Sequence, residues 1–368
     1  MKDTNSDDDD DKEEELEDTV QDLQLTPNLY ELPRPKDSNQ TTKKYEPIDW
    51  HTAFPNTLTL NNEIPLYWTG SQGPNLLCLH GAGHSALSFA PIALLSKKYR
   101  LFSFDFRGHG YNTSQGDNLS VNTLINDTVT VLKYISETYP EENIIILGHS
   151  MGGVIATKTC AYVLSQKEKY KLLYSQIQGL ICIDVVEGSA MDALPYMENV
   201  VHNRPPSFQS IDKAVEYMFK SGTIQNIESA RISVPPLLKE ARNKKGEIVY
   251  EWKTDLLASK KYWVDWFIGL TKAFLSCKVP KILMLAGIER LDKDLTISQM
   301  QGKFQLSIVP DVGHLLHEGN PSKTMKIIDE FIRIFKISSK VSGMKPIIGK
   351  LGNANIMMEV EKFEEFKI

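Results

Sequence analysis

Long hydrophobic runs and clustered metal ligands are both missing from this chain of 368 residues. No apolar run approaches the roughly 18 residues that a membrane-spanning helix needs, so we expect no association with a membrane. The N-terminus is acidic and polar and lacks the basic and apolar regions of a secretory signal. The cysteines form no Cys-x-x-Cys pair or His/Cys cluster, which argues against a structural zinc site; they are Cys78, Cys160, Cys182 and Cys277.

A basic excess is also missing from the part of the chain that is expected to fold. Residues 1–18 contain eleven acidic residues and two lysines, a net charge of −9. Because the whole chain carries −6, the other 350 residues carry +3, and nothing indicates a nucleic-acid partner. A run of like charges repels itself and buries too little apolar surface to fold. We therefore predict that residues 1–44 are a disordered acidic arm and linker.

From residue 45 onward, short apolar runs alternate with segments of helical spacing, which predicts an α/β fold. Several runs are continuously apolar, as is typical of parallel strands buried on both faces. The apolar runs lie at 58–60, 65–68, 75–79, 101–104, 144–147, 179–183, 282–285 and 304–309, and helical segments lie at 121–135, at 151–164 and from Pro321 onward. The pattern predicts a mostly parallel, doubly wound sheet whose two parts are residues 45–187 and 281–338.

The interval 188–280 interrupts this alternation and is richer in helical spacing, which predicts a helical cap inserted over the carboxyl edge of the sheet. Within it, residues 261–275 place five large apolar side chains on one helical face: Trp263, Trp266, Phe267, Leu270 and Phe274. These side chains fit either the core of the cap or the lining of a pocket. The tail 339–368 either docks or frays.

The run Gly148-His149-Ser150-Met151-Gly152 matches the G-x-S-x-G nucleophile elbow. It follows a predicted strand and precedes a predicted helix, which is the context that the elbow requires. The strained turn exposes the serine hydroxyl above the sheet, and the helix dipole favours developing negative charge there. Ser150 is therefore the candidate nucleophile, and a glycine-rich turn with an N-capping serine is the alternative interpretation.

The loop His80-Gly81-Ala82-Gly83 follows the strand that ends at Leu79. In a hydrolase with this elbow, the corresponding loop supplies one backbone N–H of the oxyanion hole, and the residue after the nucleophile supplies the other. We therefore expect the N–H groups of Ala82 and Met151 to form the oxyanion hole. His80 is expected to fix this loop by a structural hydrogen bond, and Asp105, Arg107 and His109 are expected to brace loops.

A serine hydroxyl needs a base, and the triad order in this fold is serine, acid, histidine. His314 follows the last predicted strand and precedes the last helix, so we predict that it is the base, with His317 as the fallback. Carboxylates follow two strands: Asp184 after one, Glu289 and Asp292 after the other. The residues alone leave the choice of acid open.

Four further stretches resemble the protein phosphatase methylesterase family: residues 83–88, 183–194, 220–232 and 291–305. The resemblance spans about 45–335 in matching order and spacing. It implies an α/β-hydrolase fold and a serine esterase that removes the methyl ester from the C-terminal leucine of type 2A phosphatase catalytic subunits. By this resemblance, the triad is Ser150, Asp184 and His314.

The resemblance further implies that no metal or organic cofactor is needed. It also implies that docking of the phosphatase rearranges the triad, so that the free enzyme is slow on small esters. Two departures from the family pattern, Ala82 in place of glycine and Phe89 in place of tryptophan, affect the oxyanion loop and the pocket wall.

Two other functions use the same residues. A small-molecule carboxylesterase or lipase would share the triad, and a non-catalytic protein of this fold could bind the phosphatase without reacting. The widely spaced cysteines, three of them in apolar stretches, indicate a reducing compartment. We expect a cytoplasmic protein, with the nucleus as a second location.

Overall fold

The computed structural model describes residues 44–114, 118–287 and 291–337. The acidic arm up to residue 43, the tail 339–368 and Glu289 lie outside the described residues. The strands are β1 (Asn56–Leu60), β2 (Ile64–Thr69), β3 (Asn75–Leu79), β4 (Arg100–Phe104), β5 (Ile144–His149), β6 (Ile177–Ile183), β7 (Ser207–Phe208), β8 (Leu238–Arg242), β9 (Ile248–Trp252), β10 (Lys281–Leu285) and β11 (Gln305–Ile308).

Helices follow most strands of the core and cover both faces of its sheet. They are α1 (Ala90–Leu95), α2 (Val121–Thr138), α3 (Met151–Ser165), α4 (Lys171–Gln176), α5 (Glu187–His202), α6 (Ile211–Lys220), α7 (Ile227–Ser233), α8 (Trp263–Phe267), α9 (Leu270–Ser276), α10 (Lys293–Met300), α11 (Leu316–Gly319) and α12 (Pro321–Ile334). No helix in the described part of the chain is long and apolar enough to span a membrane.

Eight strands form the main sheet in the order β1-β2-β4-β3-β5-β6-β10-β11. The pairs β1–β2 and β2–β4 are antiparallel, and every pair from β4 to β11 is parallel. The carboxyl ends of the parallel strands therefore meet at one edge, where ligands bind in open α/β sheets. The α/β fold that the sequence predicts is confirmed.

The core lies in two apolar layers, one on each face of the main sheet. Leu76 and Leu77 are both fully buried, yet they belong to different layers because successive side chains of a strand point to opposite faces. Ile145 and Ile146 divide between the layers in the same way. This arrangement explains why the central strands are continuously apolar.

The cap lies between β6 and β10 and contains its own small apolar core. Besides helices, it has an antiparallel three-stranded sheet in the order β7-β9-β8. The sequence predicted the helices of the cap but not this small sheet, whose strands are short and whose residues are mostly exposed or half-buried. Leu315, next to His314, belongs to the apolar cluster of the cap. The cap therefore packs directly against the loop that carries the predicted base.

The segment 261–275 forms two helices instead of the single helix that its spacing predicted. The helix is interrupted at Gly269, whose φ of +76° belongs to the left-handed region. Lys158 of α3 donates to the carbonyl of Ile268 at 2.9 Å, and the carboxylate of Glu187 accepts from the N–H of Gly269 at 2.8 Å. Both ends of the break are thus hydrogen-bonded, which makes the interruption stable.

The large apolar side chains of this segment pack into the core rather than line an open pocket. Trp263, Trp266, Leu270 and Phe274 are buried in the same apolar cluster as one face of the main sheet. The indole N–H of Trp266 donates to the carbonyl of Leu119 at 2.7 Å. These contacts favour the core interpretation over pocket lining.

Candidate active site

Ser150 lies at the turn between β5 and α3, with φ +52° and ψ −123°. This conformation is strained for a residue with a Cβ and persists only where neighbouring structure enforces it. The Ser150 N–H donates to the carbonyl of Ile183 on the adjacent strand at 3.0 Å. The side chain is partly exposed and makes no capping hydrogen bond with its helix, which is contrary to the alternative interpretation as an N-capping serine.

The two glycines of the motif allow the strand, the helix and the preceding loop to approach closely. A Cβ on Gly148 would lie 2.1 Å from the carbonyl oxygen of Gly152. A Cβ on Gly152 would lie 2.1 Å from the carbonyl oxygen of Leu79 and 2.5 Å from that of His80. No side chain larger than hydrogen fits at either position without a shift of backbone, so the glycines are required by the geometry of the elbow.

His314 and Asp184 form a hydrogen-bonded pair at the carboxyl edge of the sheet. Nδ1 of His314 lies 2.7 Å from Oδ2 of Asp184. The Asp184 side chain is fully buried, while half of the His314 side chain is exposed. The other carboxylate oxygen of Asp184 accepts from the N–H of Ala286 at 2.9 Å. The pair fixes the tautomer of the imidazole, because the carboxylate accepts the Nδ1 proton and leaves Nε2 free to act as a base.

Of the other carboxylates that the sequence offered, Asp292 has a different role. Its Oδ1 accepts from the N–H of Leu295 at 2.8 Å and so caps the N-terminus of α10. Its Oδ2 accepts from the hydroxyl of Thr271 at 3.0 Å. Glu289 lies outside the described residues. Among the described carboxylates, Asp184 is the one that contacts His314.

His317, the fallback base, lies inside the protein. It is fully buried, and its ring stacks on Phe89 with 4.6 Å between centroids. Burial lowers its pKa well below the ordinary value, with the neighbouring His84 and His314 adding to the effect. The geometry therefore favours His314 over His317 as the base.

The loop that contains Ala82 lies directly against the elbow. A Cβ on Gly81 would lie 3.3 Å from Cβ of Ser150. In this loop, the N–H of Gly83 donates to Nε2 of His109 at 3.0 Å, and the N–H of His84 donates to the carbonyl of Gly81 at 3.2 Å.

The Ala82 N–H, by contrast, makes no hydrogen bond within residues 44–114, 118–287 and 291–337. Met151 is the first residue of α3, so its N–H has no acceptor within the helix. Among the described residues, the two N–H groups that the sequence predicted for the oxyanion hole therefore have no acceptor.

Two polar residues near the elbow, His80 and Asp105, hold neighbouring loops in place through hydrogen bonds. His80 is buried, and its Nε2 accepts from the N–H of Phe106 at 3.0 Å. Burial lowers the pKa of His80 well below the ordinary value, so the ring is neutral. Asp105 accepts from the N–H of Ala86 at 2.7 Å and from the hydroxyl of Tyr67 at 2.9 Å. These contacts agree with the structural roles expected for His80 and Asp105.

No hydrogen bond joins the Ser150 hydroxyl to His314 in the described part of the chain. The two residues are nevertheless neighbours, because the ring of His149, next to Ser150, hydrogen-bonds the backbone carbonyl of His314 at 2.9 Å. Catalytic hydrogen bonds are often long in enzymes without substrate and tighten when it binds. The site therefore contains a paired acid and base beside a serine that they have not yet engaged.

Two contacts of the His314 loop and one of the following helix α11 were missed by sequence reasoning. His149 appeared only as a variable position of the elbow motif, although it lies at the end of a buried strand. Gln225 of the cap accepts from the N–H of Gly313 at 3.1 Å, and the hydroxyl of Ser233 hydrogen-bonds the buried Glu318. A polar residue directly beside a nucleophile was a usable signal, but the contacts from the cap were not, because they join residues far apart in sequence.

This arrangement can carry out acyl transfer. It combines a serine hydroxyl on a strained turn, an imidazole oriented by a buried carboxylate, and, among the described residues, two N–H groups without an acceptor on the segments beside the serine. Among the described residues, no group of three or more His, Cys, Asp or Glu side chains is arranged to bind a metal ion.

Comparison with known proteins agrees with this chemistry. Residues 76–326 match the model of the alpha/beta hydrolase family. The crystal structure of E-2-(acetamidomethylene)succinate hydrolase superposes with a TM-score of 0.60 at 19% identity, covering 76% of this chain and 99% of that chain. A Mycobacterium tuberculosis esterase superposes with a TM-score of 0.56 at 18% identity, covering 76% and 91% of the two chains. The fold and the site define an α/β hydrolase of the serine carboxylic-ester hydrolase class.

More similar relatives specify the family. Protein phosphatase methylesterase 1 of Mus musculus is 36% identical over 352 residues, which cover 82% of this chain and 89% of that protein. Protein phosphatase methylesterase 1 of Schizosaccharomyces pombe is 41% identical over 299 residues, covering 77% and 84%. The chain belongs to the protein phosphatase methylesterase family.

Proposed function

We propose that this enzyme hydrolyses the methyl ester of the C-terminal leucine of type 2A protein phosphatase catalytic subunits, with Ser150, His314 and Asp184 as its triad. The observation that carries the chemistry is the 2.7 Å contact between His314 and the buried Asp184. This pair lies beside the strained Ser150, because the neighbouring His149 hydrogen-bonds the carbonyl of His314. Membership of the methylesterase family supports a protein phosphatase as the substrate.

The first half of the reaction forms an acyl-enzyme. Nε2 of His314 takes the proton of the Ser150 hydroxyl while its oxygen attacks the ester carbonyl. The N–H groups of Ala82 and Met151 stabilise the oxyanion of the tetrahedral intermediate. As this intermediate collapses, the bond to the methoxy oxygen breaks, and His314 gives its proton to that oxygen. Methanol leaves, and the leucine carbonyl remains esterified to Ser150.

The second half repeats these steps with water. His314 takes a proton from a water molecule, whose oxygen attacks the acyl-enzyme carbonyl. The same N–H groups stabilise the second oxyanion, and its collapse returns the serine oxygen, which regains a proton from His314. The product is the free C-terminal carboxylate of the phosphatase subunit, and Asp184 stabilises the imidazolium in both halves.

In the described part of the chain, no hydrogen bond joins the Ser150 hydroxyl to His314, and this supports a role for substrate docking. The base loop contacts the cap through Gln225 and Leu315. A phosphatase that docks on the cap can therefore shift His314 through these contacts. We therefore expect the bond between Ser150 and His314 to tighten when the methylated subunit binds. The reaction is expected to take place in the cytoplasm, with the nucleus as a second location.

The test is incubation of methylated type 2A catalytic subunit with wild-type enzyme, with Ser150→Ala and with Ser165→Ala, which changes a serine at the other end of the same helix. Loss of the carboxymethyl group is followed by mass spectrometry. We expect full demethylation by the wild type and by Ser165→Ala, and a rate lower by ~10⁴-fold or more for Ser150→Ala.

Two outcomes would contradict the proposal in different ways. Demethylation by Ser150→Ala at the wild-type rate would exclude Ser150 as the nucleophile. A wild-type enzyme that cleaves small aryl esters rapidly but leaves the phosphatase methylated would instead identify a small-molecule esterase.

A further inference from the structure

His149 hydrogen-bonds the backbone of the base and also lies beside its ring. Its ring is almost fully buried at the end of β5, and Nε2 lies 2.9 Å from the carbonyl oxygen of His314. A carbonyl oxygen only accepts hydrogen bonds, so Nε2 must carry the proton and donate. Burial lowers the pKa of His149 well below its ordinary value, and the ring is therefore neutral with a bare Nδ1.

The opposite edge of the same ring faces the oxyanion loop. A Cβ on Gly81 would lie 2.9 Å from Nδ1 of His149 and 3.3 Å from Cβ of Ser150. Nδ1 is buried and has no hydrogen-bond partner in the part of the chain that the structure describes. The His149 ring thus fills the space between the oxyanion loop and the base loop, and it is covalently next to the nucleophile.

On either side of its histidine, the base loop is attached at Gly313, whose N–H donates to Gln225, and at Leu315, which is buried in the cap cluster. Residues 309–315 lie between β11 and α11 without regular secondary structure, and half of the His314 side chain is exposed. The Asp184 contact at 2.7 Å orients the imidazole, but one hydrogen bond at Nδ1 does not by itself fix the position of Nε2. A second attachment at the backbone of the same residue would fix how far Nε2 lies from Ser150.

We propose that His149 is a positioning residue for acyl transfer: its Nε2–H anchors the carbonyl of His314 and sets the distance between the imidazole and the Ser150 hydroxyl. This proposal deepens the proposed function and rests on its assignment of Ser150 and His314 as reacting groups. A neutral donor suits the role, because the rings of His149 and His314 are 4.6 Å apart and His314 becomes an imidazolium during the reaction.

Three substitutions at position 149 separate hydrogen bonding from packing. The amide nitrogen of glutamine lies about as far from Cα as Nε2 of histidine, whereas that of asparagine reaches only the position of Nδ1. Leucine fills the space and donates nothing. His149→Gln can therefore restore the bond to the His314 carbonyl, and His149→Asn and His149→Leu cannot.

The variants are compared by kcat and KM for demethylation and by the rate at which a fluorophosphonate labels Ser150. A misplacement of about 1 Å at a reacting group costs roughly 10²-fold in rate. We expect His149→Asn and His149→Leu to lose roughly 10–100-fold in kcat and in labelling rate, with KM changed by less than about threefold. His149→Gln is expected to recover most of that loss.

The comparison of glutamine with asparagine decides the result even if the leucine variant does not fold. Equal rates for these two folded variants would overturn the proposal, as would a change confined to KM. Fluorophosphonate labelling needs an activated serine but no phosphatase. A wild-type enzyme that is labelled but does not demethylate would refute the substrate assignment, while the labelling rates would still test His149.

Discussion

The carboxyl edge of the main sheet and the inserted cap contribute differently to the same site. Ser150 and Asp184 follow adjacent parallel strands, and each donates its backbone N–H to the next strand, to Ile183 at 3.0 Å and to Met284 at 2.7 Å. Within the described residues, the cap contacts the loops of the site: Gln225 bonds the base loop, Leu315 of that loop packs into the cap cluster, and Leu256 lies against Gly83 of the oxyanion loop. The sheet therefore positions the nucleophile and the acid, and the cap contacts the loops that carry the base and one oxyanion donor.

The largest expected difference is between two contacts of the base loop, one from each region. Asp184→Asn should lower kcat by ~10⁴-fold, because an amide favours the wrong tautomer of His314 and does not stabilise its imidazolium. Gln225→Leu removes the hydrogen bond from the cap to Gly313 and should cost less than ~10-fold. Steady-state kinetics on methylated phosphatase measures both.

Asp292→Asn is the matched control for this experiment, since it changes a carboxylate that caps α10 without contacting His314. It should leave kcat within about threefold of the wild type, because asparagine is also a good N-cap. Equal losses of kcat in the Asp184 and Gln225 variants would show that the sheet and the cap contribute equally to the position of the base.

The same division appears in what the sequence could predict. The central strands are buried on both faces, so their apolar runs and the elbow motif between β5 and α3 were readable from local pattern. The strands β8 and β9 of the cap are short, and most of their residues are exposed or half-buried. Leu238 of β8 belongs to a small apolar cluster whose members also include Leu315. A local pattern does not report such a contact across the chain.

The acid of the triad lies between these two cases. Asp184 and Asp292 both follow buried strands, and nothing in their local sequence separates them. The structure separates them through long-range contacts, since Asp184 pairs with a histidine 130 positions away. The local sequence left the choice of acid open, and the family resemblance pointed to Asp184.

A second pair of substitutions compares a glycine of the elbow with one of the cap. Gly152→Ala places a Cβ 2.1 Å from the carbonyl oxygen of Leu79, which requires a shift of backbone in the core. We expect a loss of ~4 kcal/mol or more in the free energy of unfolding. Gly246 has φ +80° with no atom within 4 Å of the added Cβ, and Gly246→Ala should cost only ~1 kcal/mol from backbone strain.

Chemical denaturation of both variants measures these losses. Similar losses of unfolding free energy in the two variants would contradict the close packing of the elbow.

The last comparison is between two pH values and concerns Glu318, a fully buried acid that joins the base-loop region to Ser233 of the cap. Burial raises its pKa to about 8. The folded protein keeps this proton at a pH where the unfolded chain ionises, so Glu318 lowers the free energy of unfolding progressively between pH ~4.5 and pH 8. Glu318→Gln removes the ionisation and should be more stable than the wild type at pH 8 by a few kcal/mol, on the order of magnitude of the pKa shift.

At pH 5 the two proteins should unfold at nearly the same temperature, which provides the internal control. Thermal melts at pH 5 and pH 8 test the sign. A Glu318→Gln variant that is less stable than the wild type at pH 8 would show that the carboxylate is charged and paired in the folded state.

The central claim, that His314 makes the Ser150 hydroxyl reactive, is tested most directly by fluorophosphonate labelling read by intact-mass and peptide mass spectrometry. We predict one adduct on Ser150 in the wild type and labelling slower by ~10⁴-fold or more in His314→Ala. Labelling of His314→Ala at the wild-type rate, or an adduct on a residue other than Ser150, would contradict the account.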